Sequence, residues 1–300
     1  MSDSVSEPVR AGAVPAGAWR ARPVELSVII DGRLDVARAR QVVAFADRLG
    51  LAGVWVRRPW WPVDGPAMSE ADAADLLALL VDGGRVRAGL VADAGKADAG
   101  WPERLASVAG PGQSGAARRA GLSVALSGEP AAVRRWQRLI GRQPGLTGAH
   151  LALPADASLP PGPCAVFVPC SPGRDLATEV SAAVAAAGGR PVLAEVTVSV
   201  GRTAVEARVR ADADELFAVA GHPSRQGLFG TLEECQAAAA RLAHAGVTEL
   251  ACYLPLASDL PDVMAQLRSI AVGASMLRPG DAPSAAPPPP AGWGGRPVIA

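Results

Sequence analysis

Short runs of aliphatic and β-branched residues alternate along the chain with longer stretches whose apolar residues recur every three or four positions. Leu26-Ser27-Val28-Ile29-Ile30 has the density of a buried strand. Val36 to Leu49 follows with Val36, Ala39, Val43, Ala46 and Leu49 on one helical face, and Gly50 stands where a helix C′ glycine belongs. Gly53 to Val56 predicts a second strand, Glu70 to Val81 a second helix, and Val86 to Val91 a third strand. The next stretch shows no clear period until a fourth strand at Leu122 to Leu126. Pro130 to Ile140 reads as a helix with proline in its first turn. His150 to Leu153 and Cys164 to Val168 are the fifth and sixth strands, joined by a proline-rich stretch too short for a full crossover helix. A helix over Asp175 to Ala187 leads to the longest strand, Pro191 to Val200. Helical patterns cover Ala204 to Ala220 and Leu232 to Ala245, before an eighth strand at Leu250 to Leu254 and a closing helix at Leu260 to Ile270.

Eight strands with mostly helical crossovers predict an α/β fold, a (β/α)8 TIM barrel over residues 23–273. A doubly wound open sheet is the competitor. It needs fewer strands and normally shows a glycine fingerprint after the first one, whereas Asp31-Gly32-Arg33 stands there. Gly110 to Gly115 matches G-x-G-x-x-G in form, but it follows no strand and opens no helix, so it reads as a loop. Residues 1–22 are small and polar without period, and 274–300 are rich in proline and glycine. Neither composition buries enough apolar surface to offset ordering entropy, so both ends are expected to be disordered tails.

Charge removes several functions. Lys+Arg and Asp+Glu both number 29, so no overall field draws nucleic acid or an anionic membrane. No apolar run reaches the length of a spanning helix, and the first residues lack the apolar region of a secretory signal. Aromatics are only 4% of the chain, so the core must be built from Ala, Val and Leu. Cys164, Cys170, Cys235 and Cys252 are irregularly spaced with no nearby histidine. That argues against a metal site and for reduced thiols in a cytoplasm. Lys96 is the only lysine and sits in a poor setting for Schiff-base chemistry.

Three segments taken together point further. One is Gln41 through Leu49-Gly50-Leu51-Ala52-Gly53-Val54-Trp55-Val56. Another is Val196 to Val200 followed by Thr203 to Arg208. The third runs from Gly230-Thr231-Leu232-Glu233-Glu234 to Ala245-Gly246-Val247-Thr248-Glu249-Leu250. They resemble the bacterial luciferase-like family of flavin- or deazaflavin (F420)-dependent barrel enzymes. The resemblance implies an oxidoreductase or monooxygenase acting on a small organic substrate by hydride transfer or oxygen activation. FMN or F420 would be its cofactor, and the family suggests a homodimer. Two departures favour a different class. The loop after the second strand reads Arg57-Arg58-Pro59-Trp60-Trp61-Pro62, without the histidine common there, and the fourth-strand segment is reduced to Leu122 through Gly128. The alternative is therefore a degenerate, non-catalytic barrel without a cofactor, serving as partner subunit or binding protein.

Barrel enzymes build their sites from the loops that follow the strands. After the sixth strand, Cys170-Ser171-Pro172-Gly173-Arg174 offers a helix N-cap in Ser171, a flexible backbone at Gly173 and a guanidinium fork in Arg174. The resemblance assigns cofactor binding to this turn, with Cys170, Ser171, Gly173 and Arg174 as its residues; a well-capped helix with a solvated arginine is the plainer reading. Trp60 and Trp61 are candidates for the substrate wall, or for a structural plug over the mouth. Asp31 and Asp93 end the first and third strands, where a carboxylate can do acid–base work or cap a helix. Glu195 lies inside the seventh strand and, if it points into the barrel, needs a partner, for which Arg87 is the candidate. Thr231 and Glu234 form a capping box by sequence, and the segment before it, with His222 and Arg225, reads as a phosphate-contacting loop in the family pattern.

Overall fold

The structure is a computed structural model and describes residues 24–31, 34–57, 70–83, 86–95, 100–108, 122–143, 146, 150–157, 164–170, 175–214, 216–217, 225, 227–255 and 259–277. Both predicted tails lie outside these apart from 274–277. Among the described residues nine parallel strands run in chain order: β1 (Glu25–Asp31), β2 (Gly53–Arg57), β3 (Arg87–Asp93), β4 (Leu122–Ser127), β5 (His150–Pro154), β6 (Cys164–Val168), β7 (Val192–Val200), β8 (Gly227–Gly230) and β9 (Glu249–Tyr253). Each of β1 to β7 pairs with the next, β7 also pairs with β9, and β9 returns to β1, so eight strands close a TIM barrel. β8 pairs with Thr197–Val200, starting at the last residue of β7 that carries β9, and lengthens that side of the wall.

Eight helices cover the barrel among the described residues: α1 (Val36–Leu49), α2 (Glu70–Gly83), α3 (Trp101–Val108), α4 (Pro130–Gly141), α5 (Leu176–Ala187), α6 (Ala204–Asp212), α7 (Leu232–Ala245) and α8 (Leu260–Met276). Their ends follow from local chemistry. Asp35 caps α1 by accepting the Arg38 N–H, and Gly50 ends that helix at φ 64°, a left-handed conformation that costs glycine little. Thr231 and Glu234 form the expected capping box on α7. The buried face of α1 is set by Ala39, Val42 and Ala46, so it is turned toward Val42 from the predicted stripe through Val43. Helix α8 continues six residues past its predicted end. The sequence pattern does not predict α3; it has two turns, and only Trp101 and Leu105 mark its buried side beside Pro102, too little for a period to show.

Strand alternation splits the core in two. Val28, Ile30, Val54 and Val56 face the helices. Ile29, Trp55, Ala125, Ala152, Leu193 and Ala251 belong to a separate cluster inside the ring. Small alanines around one indole solve a volume problem, because an eight-stranded barrel encloses room for only a few large side chains. Gly89 completes the fit: a Cβ there would lie 2.2 Å from the Trp55 ring.

Candidate functional site at the barrel mouth

Two polar networks lie at opposite ends of the interior. At the N-terminal end, Glu249 accepts hydrogen bonds from the Ser27 hydroxyl at 2.5 Å and the Trp55 Nε1–H at 3.0 Å. Its other oxygen pairs with Arg87 Nη2 at 2.6 Å, and Glu25 stands 3.5 Å from the same nitrogen. Polar groups at this end of a barrel serve stability more than catalysis. His150 sits nearby, its pKa lowered by burial and by the Arg87 charge.

The second network lies toward the C-terminal end. Glu195 Oε2 accepts from Arg57 Nη1 and from the Cys170 backbone N–H at 2.9 Å, and its Oε1 accepts from the Tyr253 hydroxyl at 3.2 Å. Glu195 and Tyr253 are fully buried, and Arg57 is 5% exposed. The expected partner of Glu195, Arg87, is therefore wrong. Arg87 opens β3 and stays at the far end, whereas Arg57 closes β2 and reaches the level of Glu195, the fourth residue of the long β7. Burial works to discharge the Arg57 guanidinium, but the Glu195 carboxylate, together with Tyr253 and Cys170, raises its pKa on balance, and the cation is held. Burial, then Glu195, pushes the Cys170 thiol up to about 12, which leaves it protonated and a poor nucleophile. Tyr253 is also driven well above its ordinary value, chiefly by burial.

Among the described residues, one cavity lies at the mouth above this network. It has a volume of about 680 Å³ and lies over β3 to β6. Arg57, Phe167 and Cys170 line it, with the Ser127–Pro130 turn, the end of β5 and one flank of α5. On the other side, Leu216 and Phe217 join the interior cluster of Tyr253, with Phe229 packed against it. Tyr253 and Glu195 have no exposed surface.

The predicted site residues distribute unevenly. Cys170 and Arg57, at the ends of β6 and β2, line one cavity. Asp93 lines the cavity; its Oδ1 accepts the Gly95 N–H at 3.0 Å. Gly128 must pass close to that carboxylate at φ 112°, and an added Cβ would meet Asp93 Oδ1 at 3.0 Å. Asp31 is buried and lines no part of the cavity. Glu195 is in the interior beneath it. Ser171, Gly173, Arg174, Trp60, Trp61 and His222 lie outside the described residues. The helix cap expected at Ser171 is Asp175 instead: α5 starts at Leu176, and the Asp175 carboxylate accepts the Thr178 N–H at 3.0 Å. The predicted phosphate-contacting loop before Gly230 ends in strand β8 over Gly227–Gly230.

Sequence reasoning passes over Tyr253. It is the one tyrosine in the chain and ends the last strand, at the same end of the barrel as Arg57. All four cysteines are buried and unpaired, as expected. Among the described residues there is no group of His, Cys, Asp and Glu suited to a metal ion, and no helix long and apolar enough to cross a membrane.

No family model and no curated sequence matches the chain. Solved structures do. The chain is similar to the coenzyme F420 dependent tetrahydromethanopterin reductase from Methanopyrus kandleri, at 10% identity and a TM-score of 0.58, over 82% of this chain and 98% of that one. It is also similar to the oxygenating constituent of 3,6-diketocamphane monooxygenase from the CAM plasmid of Pseudomonas putida, a type II Baeyer-Villiger monooxygenase in complex with FMN. There the identity is 11% and the TM-score 0.52, over 85% of this chain and 98% of that one. Identity this low speaks to architecture alone, and in architecture the chain is a TIM barrel.

Proposed function

We propose that the protein is a flavin- or F420-dependent oxidoreductase acting on a small organic substrate, with the cofactor ring in the cavity at the C-terminal mouth. The observation that carries this reading is the cavity itself, about 680 Å³ of space at the end of the barrel where such enzymes assemble their sites. The similarity to an F420-dependent reductase and an FMN-containing monooxygenase supports it.

The lining suits a planar ring. Phe167, Val168 and Pro169 offer an apolar wall, and Pro154 and Pro130 stiffen the rim. Ser171, Gly173 and Arg174 would hold the anionic tail: the residue before them, Cys170, lines the cavity, and the residue after them, Asp175, caps α5. A bound flavin or deazaflavin supplies hydride transfer, and the flavin also supplies oxygen activation. The chain's own residues would orient and dry the site. Trp60 and Trp61, a few positions beyond Arg57, would wall the substrate side. Asp93, which lines the cavity, would exchange a proton with a ligand, and Glu195, bonded to Arg57 and Tyr253, would position them.

One observation favours the non-catalytic alternative. Asp175 takes an N–H at the start of α5 and adds negative charge there, where a phosphate would otherwise bind. Titration with FMN and with F420, followed by absorbance and fluorescence quenching, separates the two readings. Saturable binding supports the oxidoreductase. No response to either cofactor at high micromolar concentration refutes it and leaves a binding protein.

A further inference from the structure

We propose that Thr197 is the polar anchor of a ligand subsite on the β7–β9 side of the mouth. It takes the oxygen of a small, uncharged, otherwise apolar molecule once the side chains of Leu216 and Phe217 give way. The proposal deepens the oxidoreductase reading by naming a substrate class. It rests on that reading only in taking the mouth as the place where a small organic molecule binds.

Strand alternation turns Leu193, Glu195, Thr197 and Ser199 of β7 into the ring, since Val192, Ala194, Val196, Val198 and Val200 belong to the layer that faces the helices. Three of the inward residues are polar, and none of the three has exposed surface. Glu195 is held by Arg57, the Cys170 N–H and Tyr253. The Ser199 hydroxyl donates to the Ala207 carbonyl of α6 at 2.6 Å. The Thr197 hydroxyl oxygen lies between these two and has no hydrogen-bond partner among the described residues. Its neighbours explain why. Tyr253, opposite it on β9, gives its hydroxyl proton to Glu195, and Gly227, opposite it on β8, has no side chain to offer.

A buried hydroxyl without a partner costs folding free energy, and valine has its shape without that cost. The strand has no need of threonine for its own sake, because four of its five helix-facing positions are valine. The hydroxyl therefore calls for a partner that the closed arrangement does not hold. Leu216 and Phe217, in the interior cluster of Tyr253, are the side chains that can make room. Their backbone N–H groups donate to Asp214 within their own turn, at 3.0 and 3.1 Å, so withdrawing the two side chains leaves those bonds intact. A hydroxyl both donates and accepts, so it suits a ketone or an alcohol. An ion would lose its hydration among Leu216, Phe217 and Phe229 for one hydroxyl bond, whereas an apolar body gains from the same surroundings.

The test uses the full chain without cofactor. Tyr253 is the single tyrosine of the sequence, so isotope-labelled tyrosine gives one NMR signal beside Thr197. The probes are cyclohexanone and methylenecyclohexane, which match in shape and differ in the oxygen. Cyclohexanone should shift the Tyr253 signal saturably in the millimolar range. Thr197→Val should weaken cyclohexanone by about fivefold, the scale of one hydrogen bond, and leave methylenecyclohexane unweakened. The same substitution should raise Tm by about 2–4 °C, because an unpaired hydroxyl leaves the folded protein. Thr197→Ser should keep the cyclohexanone affinity. Phe217→Leu should tighten cyclohexanone by about threefold, since less has to be displaced. No saturable shift overturns the proposal, as does a cyclohexanone affinity unmoved by Thr197→Val, lost in Thr197→Ser or not improved by Phe217→Leu. A Tm that Thr197→Val fails to raise overturns it too, for it shows a hydroxyl already satisfied in the folded protein. The outcomes separate from those of the cofactor titration. If FMN or F420 binds and cyclohexanone does not, the oxidoreductase stands and the subsite falls. If cyclohexanone alone binds, the reverse holds.

Discussion

Replacing Gly89 with alanine tests whether the Trp55 indole fills the barrel as described. The new methyl carbon would stand 2.2 Å from Cε3, 2.5 Å from Cδ2 and 2.6 Å from Cζ3 of the ring. Ordinary contact begins at 3.4 Å, so the ring would have to retreat by about 1.2 Å. It has nowhere to go, because Trp55 is 2% exposed and its Nε1–H is tied to Glu249 at 3.0 Å. Overpacking a rigid core costs about 1–3 kcal/mol, and a ring held on both sides belongs at the upper end. For a domain of this size about 3 kcal/mol corresponds to roughly 6–12 °C in Tm. Urea unfolding and calorimetry read both quantities. Gly141→Ala is the control, since a Cβ at that helix-end position meets nothing within 4 Å. It should be neutral or slightly stabilising. Trp55→Leu alone should cost about 3–5 kcal/mol through the cavity it leaves. In the double variant the methyl introduced by Gly89→Ala would occupy vacated space, so the two losses should fall short of additivity by about 1 kcal/mol or more. A Gly89→Ala protein within about 0.5 kcal/mol of wild type, or strict additivity in the double variant, would refute the packing.

Three further outcomes follow from the buried networks. Arg57→Met or Glu195→Leu alone should destabilise by about 3–5 kcal/mol, whereas the double variant should recover most of that, since a lone buried charge is worse than none; a double variant as unstable as the singles would contradict the pairing. His150, its pKa lowered by burial and Arg87 and opposed by Glu249, is stabilising in its neutral form. Its contribution is complete above the ordinary value of 6.5 and is lost as pH falls from there through the lower folded-state value. The urea midpoint of wild type should therefore fall more steeply below that pH than that of His150→Gln, and parallel curves would remove His150 from the account. The native protein should show negligible reaction with a thiol reagent at pH 8, because burial pushes Cys170 and Cys235 up to about 12, and four thiols should appear in denaturant. Rapid labelling of the folded protein would show a more open interior.

The barrel is legible because its eight ring strands are dense in β-branched and aliphatic residues, a signal that survives without tertiary context. Strand β8 is not, for Gly-Leu-Phe-Gly is four residues long and bounded by the residues that usually mark loops. The polar interior is half legible. Glu195 announces itself as a charge inside an apolar run, yet its partner depends on the stagger of the strands around the ring. Residues level with one another in the barrel share no fixed sequence offset, so Arg87 and Arg57 look equivalent on paper. The strand ends separate them, since one opens its strand and the other closes it. Ser171 is mistaken for the cap of α5 because two competent capping side chains stand four residues apart, and the chain turns into helix after the second.

The indole of Trp55 has one more consequence. With Ile29, Ala125, Ala152, Leu193 and Ala251 it belongs to a buried apolar layer inside the ring, like a disc between two terminals. It is bonded to Glu249 of one ionic cluster, while Glu195 of the other is held by Arg57, Cys170 and Tyr253, so the two ends are built from different residues and can change on separate terms. Substitutions that retune ligand choice above the disc need not disturb the fastening below it.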